Sequence, residues 1–124
     1  MQEEVMQMDI DRFTEILGEK TSLLPPRIFE GLNLGIGVSE EAKLHELSRP
    51  DFPRYILGEY RVSRTLGRGI MLYYGSFRMV FPYASEEVLE REIDHVLKHE
   101  LTHHLESQAG SRELEIADAR RLMD

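Results

Sequence analysis

The chain has 124 residues, the size of one domain. Its 15 Lys and Arg face 23 Asp and Glu, a net charge of −8 that argues against a nucleic-acid partner, because neutralising phosphates takes a basic surface. The absence of cysteine excludes disulfides, thiolate-held zinc, iron–sulfur clusters and thiol catalysis. No apolar run approaches membrane-spanning length, and the acidic start Met1-Gln2-Glu3-Glu4-Val5 lacks the apolar stretch of a signal peptide. A single cytoplasmic domain over residues 1–124 is the expectation.

Asp9 or Asp11 can cap a first helix whose apolar stripe is Phe13, Ile16 and Leu17, at i, i+3 and i+4. Leu23-Leu24-Pro25-Pro26 should end it, with Pro26 opening a short turn through Glu30. Leu32, Leu34, Ile36 and Val38 alternate with polar and glycine positions, which signals a strand. Residues 39–54 carry prolines and charges and read as a surface excursion that leaves His45 in solvent. Residues 55–61 look like a second strand and Ile70–Tyr74 like a third, entered through Gly67-Arg68-Gly69. Phe77–Phe81 fits either a strand or one helical turn.

The C-terminal third is helical by pattern. Ser85 is a candidate N-cap, with Glu86 and Glu87 in the first turn, where the helix dipole favours acids. Leu89, Ile93, Val96, Leu97, Leu101 and Leu105 share one broad face, as expected of the central helix lying on the sheet. Gly110 is a natural stop, and Ser111 can cap a last helix through Leu122. The whole pattern is α+β, a small mixed or antiparallel sheet packed on helices.

Four of the five histidines lie between residues 95 and 104, and residues 99–103 read His-Glu-Leu-Thr-His, an HExxH pattern. Histidines at i and i+4 lie on one helical face about 6 Å apart at Cβ, so His99 and His103 can reach one metal ion. Glu100 points about 100° round the helix, beside the ion, where it can act as general base toward a water. His95 reads as a surface or groove residue and His104, on the Leu97/Leu101 side, as a hydrogen-bonded core residue. A catalytic zinc usually has three protein ligands. No histidine follows His104, so the third must be an acid: Glu106, Glu113, Glu115 or Asp118. A rigid helix carries Glu106 past the metal, whereas a helix folding back could bring Glu115 or Asp118 to it.

These residues resemble the compact bacterial zincin-like metallopeptidase family over nearly the whole chain. Met8-Asp9-Ile10-Asp11-Arg12-Phe13 and Leu24-Pro25 match its opening helix, and Ile56-Leu57-Gly58-Glu59-Tyr60 its Leu-Gly-x-Tyr strand. Ile70–Gly75 is similar to the strand before its active helix, and Leu97-Lys98-His99-Glu100-Leu101-Thr102-His103-His104 carries its doubled histidine. Shorter members then show a glycine and an acidic pair before Ala-Arg. Here Glu106 stands in place of that glycine, and an insertion precedes Ile116-Ala117-Asp118-Ala119-Arg120.

The resemblance implies a minimal zincin-like domain holding Zn²⁺ through His99, His103 and Asp118, with Glu115 in reserve as third ligand. Glu100 would be the general base of a zinc metallopeptidase acting on peptides or unfolded protein segments in a shallow open groove. Ile70–Tyr74 could be the sheet edge that pairs with substrate. Tyr73 or Tyr74 could stabilise the oxyanion, although packing is the expected role of both. The competing readings are a non-catalytic zinc-stabilised peptide-binding module and a metal-dependent hydrolase of a non-peptide substrate. Another divalent ion could take the place of zinc, because affinities for His/carboxylate sites overlap.

Overall fold

The structure, a computed structural model, describes residues 6–108 together with Arg121 and Met123. Helix α1 spans Ile10–Ser22 and starts where the sequence predicts, with the Asp9 side chain accepting the Arg12 N–H at 2.8 Å. Phe13, Ile16 and Leu17 are its buried residues. The double proline then turns the chain through a 3₁₀ segment, Pro26–Phe29, that buries Ile28.

Three strands form a mixed sheet: β1 (Gly35–Ser39), β4 (Gly58–Ser63) and β5 (Gly67–Tyr73), in the order β1-β5-β4. β1 runs parallel to β5 and β4 antiparallel to it. Within the excursion, β2 (Lys43–Leu44) and β3 (Tyr55–Ile56) pair as a separate antiparallel ribbon. The architecture is α+β, a small mixed sheet with helices.

Three details depart from the sequence reading. The single strand expected over 55–61 divides at Leu57. Tyr55 and Ile56 join the ribbon and residues 58–63 join the sheet, while the Leu57 carbonyl still accepts the Tyr73 N–H at 2.9 Å. The Ile70–Tyr74 segment is not a sheet edge: β5 is the middle strand, its backbone engaged by β1 on one side and β4 on the other. Among the described residues the open edges therefore belong to β1 and β4. Tyr74 has already left the sheet to begin helix α2 (Tyr74–Val80), which resolves the ambiguity at Phe77 in favour of a helix.

The β4–β5 turn is held by Asn33. Its side chain donates to the Leu66 carbonyl at 2.8 Å and accepts the Arg68 N–H at 2.9 Å. Gly67 in this turn has φ +109°, and a Cβ there would run into the Asn33 amide, so only glycine fits on both grounds.

Helix α3 (Glu86–Ser107) opens on Ser85, whose side chain accepts the Val88 N–H at 3.3 Å. All six residues of its predicted apolar face are buried, and Glu100 and His104 are buried with them. Ion pairs Arg12–Glu86 at 2.6 Å and Lys20–Glu90 at 3.0 Å run between α1 and α3. The helix expected over 111–122 lies outside the described residues. Among the described residues no helix is long and apolar enough to cross a membrane.

Strand alternation gives β4 two different faces. Gly58 lies opposite Leu72 and Tyr60 opposite Ile70, on the face that meets α3. Glu59 and Arg61 lie on the other face with Tyr73. There Glu59 Oε1 accepts from Lys43 at 2.6 Å, from the Tyr73 hydroxyl at 2.5 Å and from Arg61 at 3.1 Å. Burial pushes the Glu59 carboxyl up, but the bonds from Lys43, Tyr73 and Arg61 outweigh it and hold the group at about 2. A folded-state value below the unfolded one stabilises the protein above pH 4.5, and that contribution is lost as pH falls from 4.5 toward 2. Urea titrations should therefore show wild type losing on the order of 2 kcal/mol more than Glu59→Gln across this window. Parallel acid profiles for the two proteins would contradict the assignment.

Candidate metal centre

The two motif histidines converge. His99 and His103, one turn apart on α3, bring their Nε2 atoms to 3.1 Å with the rings nearly perpendicular at 88°. Two nitrogens bound to a tetrahedral zinc at about 2.05 Å lie about 3.3 Å apart, so the spacing of the pair is close to that of two ligands on such an ion. Both side chains are exposed, and they open into a groove of about 760 Å³ at the open edge of β4. The groove is also bounded by Ile56, Gly58, Tyr60 and Glu100.

Glu100 sits between this groove and the sheet, only 7 % exposed. Gly58 makes its placement possible. A Cβ on Gly58 would lie 2.6 Å from Val96 Cγ1 and 3.4 Å from Glu100 Cγ, so any larger residue would force α3 off β4. Burial pushes the Glu100 carboxyl up, offset in part by His103 and by the Tyr60 backbone N–H. A carboxylate kept from bulk water yet open to the groove is placed to exchange a proton with whatever the groove holds.

His104 occupies the role expected of it. It is fully buried, its Nε2 lies 2.7 Å from the Glu30 carbonyl and its Nδ1 2.9 Å from the Tyr60 hydroxyl. A carbonyl only accepts, so Nε2 carries the proton and Nδ1 accepts from Tyr60. Burial pushes this imidazole down, which favours its neutral form. The bonds tie α3 to β4 and to the end of the 3₁₀ turn, fixing the rotation of the helix that presents His99 and His103. Tyr60 also meets Ser107 at 2.8 Å and Arg68 at 3.0 Å, and Arg68 reaches Ser107 as well.

No family model matches the chain, and no curated protein matches it. A solved structure does: a conserved hypothetical protein from Thermus thermophilus, 35% identical, with a TM-score of 0.65, the match covering 80% of this chain and 95% of that one. This chain belongs to the same family. At that identity and coverage the two chains share the arrangement of helices and small mixed sheet on which the groove is built.

The remaining sequence candidates divide. Glu106 lines the same groove as the two histidines, whereas Glu113, Glu115 and Asp118 lie outside the described residues. Among the described residues no group of three or more His, Cys, Asp or Glu converges as a metal site. His95 is exposed, beside Asp94, Lys98 and His99 on a separate shallow surface. Tyr73 and Tyr74 do not offer free hydroxyls. Tyr73 donates to Glu59, and Tyr74 donates to the Met8 carbonyl at 2.6 Å.

One groove histidine escaped the sequence reading. His45, assigned to solvent, is exposed but lines the groove together with His99, Glu100 and His103. No spacing in the sequence signals this, because the ribbon that carries it reaches the groove through non-local pairing of β2 with β3.

Proposed function

We propose that this chain is a minimal zincin-like metallopeptidase in which His99, His103 and Asp118 hold a zinc ion and Glu100 is the general base. The observation that carries the reading is the 3.1 Å convergence of His99 and His103 in a groove that also contains the buried Glu100. The absence of cysteine points the same way, since zinc held by histidine and carboxylate usually belongs to open catalytic sites. When bound, the ion would polarise the scissile carbonyl and make a water acidic enough to attack it.

The chain's own residues supply the rest. Glu100 takes the proton from the attacking water and delivers it to the leaving amine, so that it ends the cycle as it began. The open edge of β4 lies along the groove and is the strand to which an extended peptide would add, taking the part first given to Ile70–Tyr74. A groove this open accepts flexible peptides or unfolded segments more readily than a folded surface. Zinc as the resident ion, and the cytoplasm as the site of action, belong to the same proposal.

Metal analysis of the purified protein tests the reading. We expect one zinc per chain and loss of affinity in His103→Ala beyond the roughly 10–100-fold that changes in outer-shell partners cost. Asp118→Ala should weaken zinc similarly and Glu115→Ala should not. Zinc binding without cleavage of any member of a peptide library would leave a binding module in place of a peptidase. Cleavage that survives complete chelation would overturn the mechanism.

A further inference from the structure

His45 lies just beyond β2, and its local bonding is complete but for one atom. Its backbone N–H donates to the Arg54 carbonyl at 2.9 Å, and its carbonyl accepts the Ser48 N–H at 2.9 Å. Its ring Nδ1 accepts the Leu47 N–H at 3.0 Å. A ring nitrogen that accepts a hydrogen bond carries no proton, so in the neutral imidazole the proton is on Nε2. Nε2–H is therefore the ring donor of His45 that these bonds leave unused. It stands on a residue that lines the groove opposite α3, while His99, Glu100 and His103 line it from the helix.

We infer that His45 is a catalytic residue of the proposed peptidase, donating its Nε2–H to the carbonyl oxygen of the scissile bond as that oxygen gains negative charge. The proton stays on the nitrogen throughout, and no covalent bond to His45 is made or broken. The same tautomer rules out ligation of zinc through Nε2, because that atom has no lone pair to give while the Leu47 N–H occupies Nδ1. The two groups first considered for the role do not compete with His45, since the hydroxyls of Tyr73 and Tyr74 are spent on Glu59 and Met8. The inference rests on the peptidase reading and extends it to the side of the groove that the motif does not reach.

The test compares wild type, His45→Ala and His45→Gln as full-length chains. Ring-nitrogen NMR on the metal-free protein should find the His45 proton on Nε2. Zinc content should be equal in all three proteins. His45→Ala should lower kcat on a cleavable peptide about 10²–10³-fold with KM little changed, the usual cost of removing one oxyanion donor. A phosphinic peptide, whose tetrahedral PO₂⁻ mimics the attacked carbonyl, should bind His45→Ala weaker by a similar factor. His45→Gln, which keeps an N–H donor, should recover part of both losses. A proton found on Nδ1, zinc lost from His45→Ala, or wild-type turnover in His45→Ala would each overturn the assignment. Wild type that cleaves while His45→Ala cleaves equally well removes His45 only. Wild type that neither holds zinc nor cleaves removes the peptidase reading, and this inference with it.

Discussion

Glu100→Gln should reduce peptide hydrolysis by about 10²–10⁴-fold, the range a positioned general base contributes, while zinc content and thermal unfolding stay at wild-type values. Glutamine has the shape of glutamate, so it fits the space left by Gly58 and Val96, and its amide oxygen can still face the Tyr60 N–H. It has no carboxylate to take a proton. The loss should appear in kcat, because in the proposed mechanism the group acts on the water and the leaving amine and does not hold the peptide. Initial rates on a quenched fluorescent peptide, measured beside metal analysis of the same samples, separate the outcomes. Full activity in the variant would remove Glu100 from the mechanism, and lost zinc would make it a ligand or a support for one.

Phe13→Ala should destabilise the protein by about 3–5 kcal/mol, a large part of what a domain of this size commands. Phe13 is fully buried and meets Phe77 edge-to-face at 4.9 Å and Tyr74 at 5.4 Å. These contacts join α1 to α2 at the point where the chain leaves β5, so the cavity would open at a junction of three elements. The neighbours cannot collapse into it cheaply, because Phe77 is itself enclosed and the Tyr74 hydroxyl is tied to the Met8 carbonyl. Urea unfolding should show a lower midpoint with an unchanged slope. A double-mutant cycle with Phe77→Ala should return about 0.5–1.5 kcal/mol of coupling from the ring contact. A loss under about 1 kcal/mol, the size of an ordinary substitution, would mean that α1 docks independently of the aromatic cluster.

The groove depends on both kinds of residue. Glu100 is kept from bulk water where β4 shields it, and Gly58 lets β4 come that close. The Leu-Gly-x-Tyr segment thereby acquires a physical meaning: Leu57 hands the chain from ribbon to sheet, Gly58 admits α3, and Tyr60 bonds His104 on that helix. His104 in turn fixes the face on which its neighbour His103 emerges. The doubled histidine is thus one residue for the core and one for the groove.

What the sequence determined by itself is local. The Asp9 and Ser85 caps, the proline stop after α1, the six-residue apolar face of α3 and the convergence of His99 with His103 all follow from helical periodicity and nearest-neighbour hydrogen bonding. Each needs only a few consecutive residues, so each was legible before any fold was known. The tertiary structure decided the rest: that β5 is enclosed and β4 is the open edge, that residues 55–61 divide between two sheets, and that His45 faces the groove. Strand order and groove composition are set by pairings between distant segments, and a strand's alternation pattern specifies which face is buried without saying which neighbour lies beside it. The motif on α3 could therefore be read along the chain, while the wall opposite it existed only once β2 and β3 had paired.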